Sequence, residues 1–228
     1  MPVVVYLHGN SSSRLEGLKI APELLKRDIN IFVFDFAGCG LSEGEYISLG
    51  YHEKDDVKIV IDFIEKIPGV GKIGLWGRSM GAATSLMFSH SDDRISCICL
   101  DSPFSEFTKL AKELCKRQVN LPLFLVETAL SIINSTIKSK NNVDINKIHP
   151  IVYAPKTTIP CFFLHASSDE LIDISHSIEL FEVYGGEKSL NICEGSHNSA
   201  RQKHILDKIG KFFTKYLIGF DEDDKLKI

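Results

Sequence analysis

The sequence has no Cys-x-x-Cys pair, no internal repeat and no linker rich in proline, glycine or serine. Its longest apolar runs fall well short of the ~20 residues that a membrane-spanning helix needs. Six cysteines are scattered as Cys39, Cys97, Cys99, Cys115, Cys161 and Cys193. Four of them lie in or beside apolar runs, where a free thiol behaves as a small hydrophobe. A zinc site or disulfide framework is therefore not expected, and a reducing compartment is. Positive charge is not in excess either: the formal net charge is −4. That excludes the basic field by which nucleic acid or an anionic membrane would be held. The acidic run Asp221-Glu222-Asp223-Asp224 reads as a solvated tail. No signal peptide is visible, because an apolar strand-like run starts at Val3, directly after Met1-Pro2. What these absences leave is an ordinary globular composition, 44% hydrophobic and 25% charged over 228 residues. That length suits one α/β domain spanning 1–228.

Apolar and amphipathic stretches alternate along this chain. Strands are expected at 3–7, 31–34, 73–76, 95–100, 161–164 and 190–192. They are almost continuously hydrophobic, the pattern of parallel strands covered on both faces. Between them, 51–67 places Val57, Val60, Ile61 and Ile64 at helical spacing, and 174–184 and 199–217 read similarly. Repeated strand–helix–strand units imply an α/β fold: a mostly parallel sheet of about six strands with helices on both faces. One interval breaks the rhythm. Some 60 residues lie between Asp101 and Cys161, with helical patterns at 104–117 and 121–138. The segment 104–150 is expected to be a helical cap, since α/β sheets bind ligands at the carboxyl ends of their strands.

Gly77-Arg78-Ser79-Met80-Gly81 sits between the strand at 73–76 and the helix-like run that follows. G-x-S-x-G in that context is a nucleophile elbow, in which the serine occupies a sharp strand-to-helix turn. A serine nucleophile needs a base, an acid that orients the base, and donors for the oxyanion. His197 lies in the small-residue loop Gly195-Ser196-His197-Asn198 after the last strand, where a base can hang over the sheet edge. His176 and His204 lie within helical patterns and are expected on the surface. Asp169 follows the strand at 161–164 and is the favoured acid; Asp101 and Glu170 remain alternatives, and Asp173 suits a helix N-cap. The Met80 amide supplies one oxyanion donor, and Asn10 or Ser11 in the loop after the first strand supplies the second. His8 is expected to anchor that loop. Phe104, Phe107 and Phe124 are candidates for an apolar acyl site. Gly69-Val70-Gly71-Lys72-Ile73-Gly74 matches a dinucleotide fingerprint in letters only, because it follows a helix and enters a strand.

Read together, Tyr6-Leu7-His8-Gly9-Asn10, the stretch from Asp35 to Ser42, Gly77-Arg78-Ser79-Met80-Gly81, Asp101-Ser102-Pro103, Asp169 and His197 resemble the α/β-hydrolase-fold serine hydrolases. The resemblance covers nearly the whole chain and points to the serine aminopeptidase-like/peptidase S9-like group. It is also similar to the depalmitoylases of the α/β-hydrolase superfamily. It implies Ser79 as nucleophile, Asp169 as acid and His197 as base, acting on a small-molecule or acyl-protein substrate without metal or organic cofactor. Two departures stand out. Many relatives carry D-x-R-G-x-G-x-S, and Ala37 stands where that arginine would be. The fold also usually opens with two antiparallel strands ahead of the His-Gly strand, whereas this sequence starts almost at it. A cytoplasmic setting is expected, with membrane association left open to an N-terminal segment. The reading is ester or thioester hydrolysis; peptidase action on small substrates, or a non-catalytic module on a hydrolase scaffold, are the alternatives. An aspartate-nucleophile enzyme of the same fold is excluded by Ser79.

Overall fold

The computed structural model describes residues 1–119 and 121–219. Six strands form one sheet: β1 Val3–Leu7, β2 Asn30–Val33, β3 Ile73–Arg78, β4 Ile95–Asp101, β5 Cys161–Ala166 and β6 Lys188–Cys193. They lie in the order β2-β1-β3-β4-β5-β6 and every pair is parallel. Each expected strand is present: β1 has the expected bounds, and the other five differ by a residue or two at one or both ends.

Alternation along the strands divides two cores. Val3, Val5, Leu7, Leu75, Ile98, Leu100, Cys161 and Phe163 face one side. There they meet Val57, Ile61 and Ile64 of α3 (Glu53–Ile64), Ala82 and Leu86 of α4 (Met80–Ser89), and Leu180 of α7 (Ile174–Val183). Val4, Tyr6, Trp76, Cys97, Cys99, Phe162 and Leu164 face the other side. They pack on Leu24 of α2 (Ala21–Leu25), which follows the single turn α1 (Leu15–Leu18), and on Ile205, Ile209 and Phe213 of α8 (Lys203–Phe213). Both faces are covered over the middle of the sheet, which is why β1, β3 and β5 are almost continuously apolar; the edge strand β6, with Lys188, Ser189 and Asn191, is not. Five of the six cysteines are buried, and all six are free thiols.

The interval after β4 folds into α5 (Phe107–Val119) and α6 (Leu123–Asn141), followed by short turns back to β5. A third apolar cluster joins this pair to the body: Phe104, Leu110, Val143, Ile145 and Ile148 pack with Ala83 and Met87 of α4 and with Ile172. No described helix is long and apolar enough to cross a membrane. The acidic run 221–224 lies outside the described residues.

The strand order contains a reversal. From β1 the chain moves one way to β2, and from β3 it moves the other way to β4. A crevice opens at such a switch point, outside the carboxyl ends of the two strands. Here those ends carry His8-Gly9-Asn10 after β1 and Ser79 after β3.

Candidate active site

Ser79 is the single residue between β3 and α4, with φ 52° and ψ −115°. A non-glycine residue at positive φ is strained by roughly 1–3 kcal/mol and persists only where its surroundings impose it. The flanking glycines supply that imposition. A Cβ on Gly77 would overlap the Gly81 carbonyl, and one on Gly81 would overlap the carbonyl of Leu7 at the end of β1. Strand, turn and helix can pass this closely only without those side chains. The Ser79 amide donates to the Asp101 carbonyl at 2.8 Å, tying the turn to the end of β4. Met80 opens α4, so its N–H has no acceptor within the helix and lies at the positive end of the helix dipole.

His197 and Asp169 come from the loops after β6 and β5. His197 Nδ1 donates to Asp169 Oδ2 at 2.7 Å, and both side chains are almost wholly shielded from water. Asp169 Oδ1 accepts the amides of Leu171 at 3.0 Å and Ile172 at 2.8 Å. Burial pushes the Asp169 carboxyl up, but the His197 hydrogen bond, the Ile172 amide and the charges of His197 and His165 outweigh it, and the net shift is downward. The carboxylate therefore stays ionised with its orienting bonds in place. Glu170, expected in solvent or as a rival acid, accepts the His197 amide at 3.2 Å and does not reach the ring. Asp173 caps α7 by accepting the Ser175 amide at 2.9 Å. Asp101 is engaged elsewhere: Arg201 forks onto both its oxygens, with Nε at 2.9 Å from Oδ2 and Nη2 at 2.7 Å from Oδ1.

The loop after β1 is fixed from below by His8, which is fully buried. His8 Nε2 accepts the Phe36 amide at 3.2 Å, so the proton sits on Nδ1, which donates to the Gly9 carbonyl at 2.8 Å. In a trans peptide the carbonyl and the next N–H point in opposite directions. With the Gly9 carbonyl held towards His8, the Asn10 N–H is directed away from the buried ring. The Gly9 amide itself is taken by Glu16 Oε2 at 3.0 Å. On the loop that carries Ala37, Asp35 pairs with Arg14 at 2.5 Å and accepts the Arg14 amide at 2.6 Å.

A cavity of about 850 Å³ opens over these groups. Gly9, Asn10, Arg78, Ser79, Met80 and His197 line its floor, and Leu49, Phe104, Phe107, Leu110, Leu114 and Ile172 line an apolar wall. Ser11, Ser12, Ser13, Glu16 and Lys19 form the polar side. Ser79, Met80, Asn10, His197, Phe104 and Phe107 are thus brought to one space, with Asp169 behind His197. Phe124 is not. It stands on α6 with 66% of its surface exposed and does not line the cavity. Of the two helices it is α5 that contributes to the wall, through Phe107, Leu110 and Leu114, and α6 buries only Val126 along its length. Helical spacing alone does not say which helix of such a pair faces the site.

His176 corrects a second expectation. It is fully buried rather than on the surface, bonded to Ser105 and, through Nε2 at 3.1 Å, to Glu113 of α5. His204 is exposed as expected. Sequence reasoning also missed Glu16, Arg78 and Arg201, whose partners lie across the fold at no periodic spacing. Among the described residues no group of three or more His, Cys, Asp or Glu side chains could hold a metal ion.

Comparison with known proteins agrees with this architecture. A family model for the α/β hydrolase fold matches residues 2–135, and a model for PhoPQ-activated pathogenicity-related proteins matches 77–221. The uncharacterised protein YqkD of Bacillus subtilis is 28% identical over 205 residues, 88% of this chain and 66% of that protein. The lysophosphatidylserine lipase ABHD12 of Danio rerio is 26% identical over 198 residues, 83% of this chain and 49% of its own length. The chain thus spans about two thirds or less of these relatives. Among solved structures, the Pyrococcus furiosus esterase Pf2001 superposes with a TM-score of 0.75 at 24% identity, covering 95% of this chain and 83% of that one. The ferulic-acid complex of Est1E from Butyrivibrio proteoclasticus gives 0.73 at 17% identity, covering 96% and 90%.

Proposed function

The chain belongs to the α/β hydrolase fold family, and within it we propose a serine hydrolase that cleaves carboxylic esters or thioesters through a Ser79 acyl-enzyme. The observation that carries this reading is the buried His197–Asp169 hydrogen bond of 2.7 Å beside a strained Ser79, all three opening on or standing behind one cavity. His197 takes the Ser79 proton as Oγ attacks the acyl carbonyl. Asp169 holds the Nδ1–H tautomer and stabilises the imidazolium. The N–H groups of Met80 and Asn10 receive the oxyanion, each contributing on the order of 3 kcal/mol. His197 then protonates the leaving alcohol or thiol, and water repeats the attack on the acyl-enzyme.

The segment 104–150 acts as a cap on a single α/β domain, and its helix α5 provides the acyl wall. Phe104, Phe107, Leu110 and Leu114 suit an aliphatic chain, while the Ser11–Ser13 side suits a polar leaving group. The esterase and lipase relatives support hydrolysis in general and leave the acyl group to be found. The test is a p-nitrophenyl ester series from acetate to palmitate. kcat/KM rises with chain length through the medium chains, and Ser79→Ala removes the turnover. Activity confined to acetate would contradict the acyl wall.

A further inference from the structure

Two loops have to hold their positions for this chemistry, and they come from opposite sides of the crevice. The loop after β1 carries Asn10; the loop after β6 carries His197. One side chain links them, reaching the first loop through Glu16 of the short helix Leu15–Leu18, and it is not a member of the triad. Arg78 is the residue before the nucleophile, the last of β3. Its Nη1 pairs with Glu16 Oε1, and the other oxygen of that carboxylate, Oε2, accepts the Gly9 amide at 3.0 Å. Its Nη2 donates to the His197 carbonyl at 2.5 Å and to Asn198 Oδ1 at 3.3 Å.

We propose that Arg78 and Glu16 form a positioning pair that ties the oxyanion loop to the histidine loop across the nucleophile. The proposal rests on the Ser79 reading for its consequence in catalysis, though the tie itself is a matter of geometry. The chain of contacts runs Gly9 amide, Glu16, Arg78, His197 carbonyl, so the backbone on either side of Ser79 is held through one guanidinium. Both border the cavity, but their side-chain hydrogen bonds go to each other and to the two loops.

Its setting makes the pair effective. The Arg78 and Glu16 side chains are only 16% and 11% exposed, so water screens their attraction far less than at an open surface. The planar fork of arginine can serve two acceptors in fixed directions at once. A lysine ammonium at the same place would hold one and release the other. Glu16 also does on one side what His8 does on the other: His8 takes the Gly9 carbonyl and Glu16 takes the Gly9 amide. Both peptide planes flanking Gly9 are thereby fixed. On the histidine loop, Arg201 approaches the same His197 carbonyl at 3.4 Å and is itself held by Asp101. The two arginines differ in what they connect. Arg201 ties the histidine loop to β4 beneath it, while Arg78 ties it to the opposite rim.

The experiment compares wild type, Arg78→Gln, Arg78→Lys, Glu16→Gln and the Arg78→Gln/Glu16→Gln double variant in full-length protein. Two readouts are used: steady-state hydrolysis of a p-nitrophenyl ester and hydrogen exchange of the 8–16 and 194–200 segments. Each single variant is expected to lose about 10- to 100-fold in kcat with KM nearly unchanged, as for a misplacement of catalytic groups by a fraction of an ångström to about 1 Å. Arg78→Lys recovers little, because its charge remains but the fork is gone. The double variant is no worse than the poorer single, the signature of two residues acting as one unit. Exchange accelerates in both segments and not across the sheet. Wild-type kcat in Arg78→Gln, multiplicative losses in the double variant, or faster exchange throughout the protein would overturn the pairing. If wild type shows no Ser79-dependent turnover, the hydrolase reading fails and exchange alone judges the tie. Loosening of both loops in Arg78→Gln then upholds it; loosening of one or neither overturns it.

Discussion

Asp169 divides its two oxygens between two tasks. Oδ2 holds the His197 proton, and Oδ1 is held by the amides of Leu171 and Ile172. An asparagine there can keep the backbone bonds only by turning its NH₂ towards His197, which then favours the wrong tautomer. Asp169→Asn is therefore expected to lower kcat by on the order of 10³–10⁴ with little change in fold. Asp173, only four residues on, caps α7. Asp173→Asn is expected to keep near-wild-type kcat, and even full loss of the cap costs about 1 kcal/mol of stability. Steady-state rates on the two variants separate them, and an inactive Asp173→Asn beside an active Asp169→Asn would reverse the assignment of the acid. The sequence made Asp169 the favoured acid, because a strand end followed by a small-residue loop is visible as a pattern. It did not reveal why Asp101 is unsuited. That follows from Arg201, one hundred residues away, and such a pairing has no periodic signature.

At the scale of elements, the clearest departure from the sequence reading lies between α5 and α7. The apolar periodicity of α7 marks the face turned to the sheet but says nothing of a helix laid over its other side. His176 is buried there. Its Nδ1 accepts the Ser105 amide at 3.1 Å and lies 2.7 Å from the Ser105 hydroxyl; Nε2 faces Glu113, with Glu179 and Lys109 close by. Because Nδ1 receives a backbone N–H, the ring is neutral. Burial holds its pKa below the usual 6.5, and although Glu113 opposes this, burial prevails. His165 is also fully buried and shifted down by burial. Histidines with depressed folded pKa values stabilise the fold fully above pH 6.5, and that contribution is lost as pH falls towards the folded pKa, because the unfolded chain binds protons first. Each proton so taken up changes stability by as much as about 1.4 kcal/mol per pH unit. Melting temperatures are expected to hold from pH 7.5 to about 6.5 and to fall from there to 5.5, less steeply in His176→Gln. An equal slope in the two proteins would contradict a neutral buried His176. The choice of α5 over α6 as the wall of the cavity was illegible for a related reason. Both helices carry apolar residues and both pack on the cluster around Ala83, Met87 and Ile172, but only α5, through Phe107, Leu110 and Leu114, reaches the cavity.

At the scale of the whole molecule, six apolar runs were enough to read the sheet, because strands buried on both faces leave a signal that needs no partner to interpret. The site groups follow the same logic: each lies just past the carboxyl end of a strand, Asn10 after β1, Ser79 after β3, Asp169 after β5 and His197 after β6. Their order along the chain was legible; their convergence depends on the parallel sheet bringing those ends to one rim and on the switch between β1 and β3 opening a crevice there. The central claim is that this convergence makes Ser79 a nucleophile. It is tested most directly by reacting the folded full-length protein with a fluorophosphonate and mapping the adduct by mass spectrometry. The account predicts one phosphonyl group on Ser79 in the wild type and none in Ser79→Ala; a folded wild type that stays unmodified, or a Ser79→Ala protein that is modified equally fast, would contradict it.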